Sequence, residues 1–226
     1  YDSGPQYSAD SNAGQRVVVP YLRALGVSRL DTLVISHRDK DHAGGVNAVR
    51  DYLPVGRSLS SIEEPDYEPC TAGQGWSWDG VGFSLLHPEA AAYSARSKKS
   101  NAMSCVLRVE ASGSSMLLTA DIEAADETAL RRRALSALRS SVLLVPHHGG
   151  RGSSTPEFIA AVGARDVVCS AGYRNAFGHP RPEVIARYSS SRQWRTDRDG
   201  AIRVMLGQTA GVSAWRQEHP RYWYGQ

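Results

Sequence analysis

The chain reads as a single α/β domain of sheets covered by helices, and three observations predict it. Apolar, β-branched runs such as Leu30-Asp31-Thr32-Leu33-Val34-Ile35 and Val142-Leu143-Leu144-Val145 alternate with segments whose apolar residues recur at helical spacing. Its 226 residues, 41% hydrophobic and 22% charged, suffice to bury one sizeable core. Several strand-like runs end in histidine or aspartate beside glycine, as at the carboxyl edge of an open α/β sheet, where ligands tend to bind. No repeat of fixed period and no long linker divides residues 1–226.

The elements follow in order. Tyr1-Asp2-Ser3-Gly4-Pro5 reads as a strand end and turn. Val17, Val18, Tyr21, Leu22 and Leu25 mark a helix that Gly26 stops, with Pro20 speaking against it. Leu30–Ile35 is a strand, Val46–Leu53 a short helix closed by Pro54, and Arg57 to Pro69 polar and irregular. Trp76, Trp78, Phe83 and Leu85 suggest strands about a Gly80 turn. Met103–Glu110 and Ser115–Ala120 read as paired strands, Glu123–Leu138 as a charged amphipathic helix, and Val142–Val145 as a buried strand. Pro156–Val162 is helical, Asp166–Cys169 a strand, and Pro182–Tyr188 a helix with proline in its first turn. The tail from Trp194 through Val204–Leu206 to Val212–Trp215 reads as closing β structure.

Composition excludes some classes. No stretch approaches the roughly 20 apolar residues of a membrane-spanning helix, so the domain itself is not expected to cross a bilayer. The start resembles no signal peptide and lacks methionine, which predicts a domain taken from a longer protein. A net charge of +3 is too mild to argue for nucleic acid by itself. Lys40, Lys98 and Lys99 are the sole lysines, so arginine supplies the remaining positive charge. That fits bidentate phosphate contacts, and equally a GC-rich genome. Cys70, Cys105 and Cys169 form no CxxC pair and define no disulfide framework; Cys105 and Cys169 read as core residues.

The most informative stretch is Ser36-His37-Arg38-Asp39-Lys40-Asp41-His42, between the Leu30–Ile35 strand and Ala43-Gly44-Gly45. Clustered carboxylates repel unless a cation neutralises them, so four ionisable side chains here point to half of a metal site. Asp121, the His147-His148 pair and His179 repeat the same placement. His87 and His219 precede prolines without such neighbours and read as surface or turn residues.

His37-x-Asp39-x-Asp41-His42, then Asp121, then a later histidine, resembles the metallo-β-lactamase superfamily, whose usual run has a second histidine at the Asp39 position. With Asn101-x-x-Ser104-x-Val106-Leu107, Val145-Pro146-His147-His148-Gly149, Gly178-His179-Pro180 and Arg195-Thr196-Asp197-x-x-Gly200, the chain is similar to the C-terminal metallo-β-lactamase-like domain of ComEC competence proteins, membrane channels for DNA uptake. The family usually has a strand hairpin before the Asp2-x-Gly4 position and a glycine at Ala120. The resemblance implies a four-layer αβ/βα sandwich and two divalent metal ions. His37 and Asp39 would hold one with a histidine of the His147-His148 pair, His148 preferred. Asp41 and His42 would hold the other with His179, Asp121 would bridge, and Asp2 would orient a ligand. Oxygen from Asp39 favours manganese, with zinc or magnesium as alternatives.

The implied function is a metal-dependent nuclease that hydrolyses DNA phosphodiesters, degrading the strand that is not imported, with His37, Asp39, Asp41 and Asp121 catalytic. Arg38, Asn101, Ser104, Arg195, Thr196 and Asp197 are expected to contact substrate, single-stranded DNA first, and Trp194 or Tyr173 to stack a base unless they pack in a core. Other readings are a DNA-guiding module with a weak site, and a hydrolase of another ester. The implied partners are the membrane channel of the same polypeptide and other DNA-uptake machinery, at the periplasmic or extracellular face of the inner membrane.

Overall fold

The computed structural model describes residues 1–95 and 99–223. They form two compact units, Tyr1–Ala72 with His87–Cys105, and Gly73–Leu86 with Val106–Gln226. Both mix strands and helices, as the α/β expectation required. Among the described residues no helix is long and apolar enough to cross a membrane.

In the first unit, β1 (Gln6–Ser8) and β2 (Ser11–Asn12) form a short hairpin. A π turn at Gly14–Val18 leads into α1 (Val19–Ala24). Pro20 sits at the start of α1, where its missing N–H would have no helical partner anyway, so it initiates the helix rather than opposing it. Then come β3 (Leu30–Ile35), α2 (Lys40–Ala43), α3 (Val46–Tyr52), β4 (Val55–Ser60) and β5 (Glu68–Pro69), the strands forming a parallel sheet in the order β3-β4-β5. Val19, Leu33, Ile35, Val49 and Tyr67 make its core. Gly45 packs backbone to backbone on Gly14 and Ser3; a Cβ there would lie 2.4 Å from the Ser3 carbonyl oxygen.

Three expectations need correction in this unit. The segment from Arg57 to Pro69 contains most of β4 and all of β5, strands that alternation did not reveal. β4 is carried by serines as much as by Leu59, and the Ser60 hydroxyl donates to the Ile35 carbonyl at 2.7 Å, so a polar sequence is satisfied inside a buried strand. His87 is not a surface residue: it is buried and its Nε2 lies 2.9 Å from the Ala102 carbonyl oxygen. Cys70 and Cys105 form a disulfide, their Cα atoms 6.0 Å apart, which pairs residues that sequence spacing could not match.

The second unit is built on a seven-stranded sheet in the order β12-β11-β10-β9-β8-β7-β6. β6 (Gly75–Trp78), β7 (Val81–His87), β8 (Val106–Ala111) and β9 (Ser114–Leu118) precede α4 (Ala124–Leu138), and then β10 (Val142–Leu144) runs parallel to β9. α5 (Pro156–Val162), β11 (Asp166–Cys169), α6 (Pro182–Ile185) and β12 (Arg192–Arg195) continue the parallel half. α7 (Thr196–Asp199), the antiparallel pair β13 (Ile202–Met205) and β14 (Gly211–Ala214), and α8 (Trp215–Glu218) follow. Alternation along the strands sends Leu143, Val167 and Cys169 into a cluster with Leu130, Phe158 and Tyr188. Val142 and Val168 face the other way, toward Trp194, Val204 and Val212. The expected strand at Met103 begins later: Asn101–Met103 is a 3-10 turn, and Ser104 is buried beyond it.

Candidate metal centre

In the first unit, β3 delivers its polar residues at its carboxyl end, where the sequence turns from apolar to ligand-bearing. His37 is fully buried and His42 nearly so, their rings 4.2 Å apart between centroids. Asp39 and Asp41 are half-exposed, with Asp39 Oδ2 3.5 Å from His37 Nε2 and Asp41 Oδ2 3.9 Å from His42 Nε2. Each imidazole thus turns Nε2 toward a carboxylate.

What aims those rings is Asp2. One carboxylate oxygen accepts the Ser36 backbone N–H at 2.7 Å; the other lies 2.8 Å from His42 Nδ1 and accepts the Ser36 hydroxyl at 3.0 Å. A carboxylate only accepts, so His42 carries its proton on Nδ1 and keeps the Nε2 lone pair for a cation. Asp2 holds a left-handed backbone, with φ of 55°, and its N–H donates to the Val34 carbonyl at 2.7 Å. Ser36, which heads the ligand run but was given no role from the sequence, also meets His37 Nδ1 at 2.9 Å. Its place one residue before the first histidine was the available signal. The same strand end is tied to the disulfide: Cys105 N–H donates to the Ser36 carbonyl at 2.9 Å.

In the second unit, Asp121 follows β9 and is buried. His148 Nε2 lies 3.5 Å from Asp121 Oδ1, and His147 Nε2 3.9 Å from Asp121 Oδ2. His148 donates from Nδ1 to the Ser170 carbonyl at 2.8 Å, which again leaves Nε2 as the acceptor facing a carboxylate. His147 has Glu123 beside its other nitrogen, at 3.5 Å. Glu123 was missed, although it stands two residues after Asp121. The His179 ring lies 5.9 Å from that of His147 and 6.4 Å from that of His148. Burial, then the neighbouring imidazoles and Arg181, hold its pKa below the usual histidine value and favour the neutral, metal-binding form. His147 and His148 both take left-handed conformations, with φ of 49° and 53°, as does Ala120 at 46°.

The expected substrate-binding residues differ in their local settings. Arg38 is exposed beside the ligand loop. Arg195 is held in a two-bond clamp by Asp197, at 3.1 and 2.7 Å. Thr196 braces the chain after β11, its hydroxyl accepting from Ala171 N–H and donating to Ala171 O, both at 2.8 Å. Asn101 and Ser104 lie at the turn before β8. Trp194 donates its indole N–H to Asp166 at 3.0 Å and packs in a core, so packing accounts for it. Tyr173 is exposed.

No family model matches the chain. It is 39% identical to Competence protein ComA of Neisseria gonorrhoeae over 214 residues, 93% of this chain and 30% of that protein. Recombination protein 2 of Haemophilus influenzae is 31% identical over 211 residues, 90% of this chain and 26% of that one. ComE operon protein 3 of Bacillus subtilis is 30% identical over 218 residues, 88% and 27%. The chain belongs to the ComEC family of competence proteins. It spans less than a third of the length of these relatives.

Among solved structures, Tm1679, a metal-dependent hydrolase of the β-lactamase superfamily, is 12% identical with a TM-score of 0.48, covering 94% of this chain and 88% of that one. The metallo-β-lactamase fold protein YhfI from Bacillus subtilis is also 12% identical, with a TM-score of 0.46 and coverage of 85% and 83%. The glycine that the sequence resemblance expects at the Ala120 position has a local reason in this chain: the backbone is left-handed there, a conformation that costs an L-residue with a side chain.

Proposed function

We propose that this part of a ComEC protein is a metal-dependent nuclease that hydrolyses DNA phosphodiesters and degrades the strand that is not imported. The observation that carries the reading is the presetting of imidazoles in each unit. The Asp2 carboxylate fixes His42 with Nε2 toward Asp41, and the Ser170 carbonyl fixes His148 with Nε2 toward Asp121. Hydrogen bonding on the far nitrogen of a histidine is the usual support of a metal ligand. The donor chemistry of both sets suits divalent cations. In this reading His37, Asp39, Asp41 and His42 of the first unit and Asp121, His148 and His179 of the second would supply the ligands.

Bound there, two such ions would supply activation of water and charge neutralisation at the phosphoryl group. The chain's own residues do the rest. Asp2 and the Ser170 carbonyl hold the ligand rings in one tautomer, so little reordering is needed when a cation arrives. Asp39 in place of a histidine raises the oxygen share of the set, which supports manganese over zinc. Arg38, exposed next to the ligands, is available to meet a substrate phosphate. The Cys70–Cys105 disulfide supports placement on the oxidising, outer side of the inner membrane, since such bonds rarely persist in the cytosol.

The test is cleavage of single-stranded DNA with Mn²⁺ by the intact chain and by Asp41→Ala. Loss of cleavage in the variant supports the nuclease. Tight binding without cleavage by either protein would replace it with a DNA-guiding module, and equal cleavage by both would identify a contaminant.

A further inference from the structure

The loop after β11 carries His179 and also displays two aromatic rings to solvent. Tyr173 is 67% exposed and Phe177 70% exposed. The loop that bears them is internally fixed. The Asn175 amide donates to the Gly172 carbonyl at 2.9 Å and to the His179 carbonyl at 2.6 Å, and its oxygen accepts the His179 N–H at 2.9 Å. The Phe177 ring lies over the His179 imidazole, centroids 5.9 Å apart and planes inclined by 29°. Arginines stand on the same loop: the Arg174 guanidinium sits 5.2 Å from the centre of the Tyr173 ring, and that of Arg181 packs against Gly178, the residue after Phe177.

Two exposed rings on a braced loop lose little side-chain entropy when a flat partner covers them, and each offers a face of stacking area. We propose that Tyr173 and Phe177 form a stacking platform for unpaired bases of single-stranded nucleic acid, with Arg174 and Arg181 meeting the adjoining phosphates. The inference rests on the nuclease reading and deepens it by naming the side chains that seat the bases of the strand. Bases in a duplex already stack on one another and have no free face to give; bases of a single strand do, and stacking on protein aromatics is how such strands are held without regard to sequence. The arginines supply the charge complement that an apolar protein partner would not need. Contact between Phe177 and His179 places the platform beside a candidate metal ligand, so a base seated there brings its own phosphate close to the ligand set.

The experiment measures binding by fluorescence anisotropy in the presence of a chelator, so that no turnover intervenes. The probes are an oligothymidylate of about 12 nucleotides, an abasic strand of the same length, and a duplex. The wild-type chain should bind the oligothymidylate about ten-fold or more tightly than the abasic strand. The Tyr173→Ala/Phe177→Ala double variant should bind the two alike, and Tyr173→Phe, which keeps the ring, should retain the preference. A double variant that still prefers bases, or a wild type that binds duplex as tightly as single strand or binds neither, overturns the platform. Cleavage with Mn²⁺ is scored separately on the wild type. A base preference without cleavage removes the nuclease reading and leaves the platform standing.

Discussion

The Asp2 carboxylate lies 2.8 Å from Nδ1 of His42, forty residues away, and fixes which nitrogen of that ring is left for a cation. Asp2→Ala should therefore leave every candidate ligand in place and still weaken metal binding about 10- to 100-fold. Isothermal titration with Mn²⁺ on both proteins checks it. Affinity unchanged in the variant would show that Asp2 only holds the loop.

Ala120 adopts φ of 46° directly before Asp121, and its carbonyl accepts the His147 N–H at 2.9 Å. Ala120→Gly relieves the left-handed strain and should stabilise the chain by about 1 kcal/mol, raising Tm by roughly 2–4 °C. A thermal melt that falls instead would mean that the methyl group, which is buried, contributes more by packing than the backbone loses.

The disulfide between Cys70 and Cys105 closes a separation of 35 residues. Loop-closure entropy makes it worth about 3–4 kcal/mol against the unfolded chain. The double variant Cys70→Ser/Cys105→Ser should lose that much in denaturant titration. Because the Cys105 N–H holds the Ser36 carbonyl, hydrogen exchange should also quicken around residues 36–42.

Asp166 opens β11, where its buried carboxylate binds the Trp194 indole at 3.0 Å, Arg192 at 2.9 Å and Arg165 at 2.8 Å. Burial alone would raise its pKa, but the three donors together outweigh burial and hold it below the ordinary aspartate value. A depressed carboxyl contributes stability that is complete above its unfolded pKa, near 4, and fades as pH falls through the folded one. Acid unfolding should thus steepen below about pH 4. Asp166→Asn should flatten that limb while lowering stability at pH 7, as read by denaturation midpoints at several pH values.

Much of the architecture was legible because its signals are short-range. Leu30–Ile35, Pro156–Val162 and Asp166–Cys169 carry their period and their proline or glycine boundaries within a few residues, and the structure has those elements at those bounds. β4 was not legible, because its serines look like loop until β3 provides their partners. The candidate ligands were legible as residue types. Arg195 was not legible as a partner of Asp197, since a free and a clamped arginine have the same letter.

By itself the sequence determined where donor-type side chains stand: four ionisable residues after one strand, and Asp121, His147, His148 and His179 after others, a clustering whose mutual repulsion a cation would relieve. Tertiary structure alone decided which nitrogen each ring presents, that Cys70 finds Cys105, that His87 is buried, and that Trp194 belongs to a core while Tyr173 stands in solvent. The reason is physical. Periodicity and turn chemistry act over a few residues, whereas a tautomer, a disulfide or a buried ring depends on atoms contributed by segments tens of residues apart, whose meeting is fixed only when the chain packs.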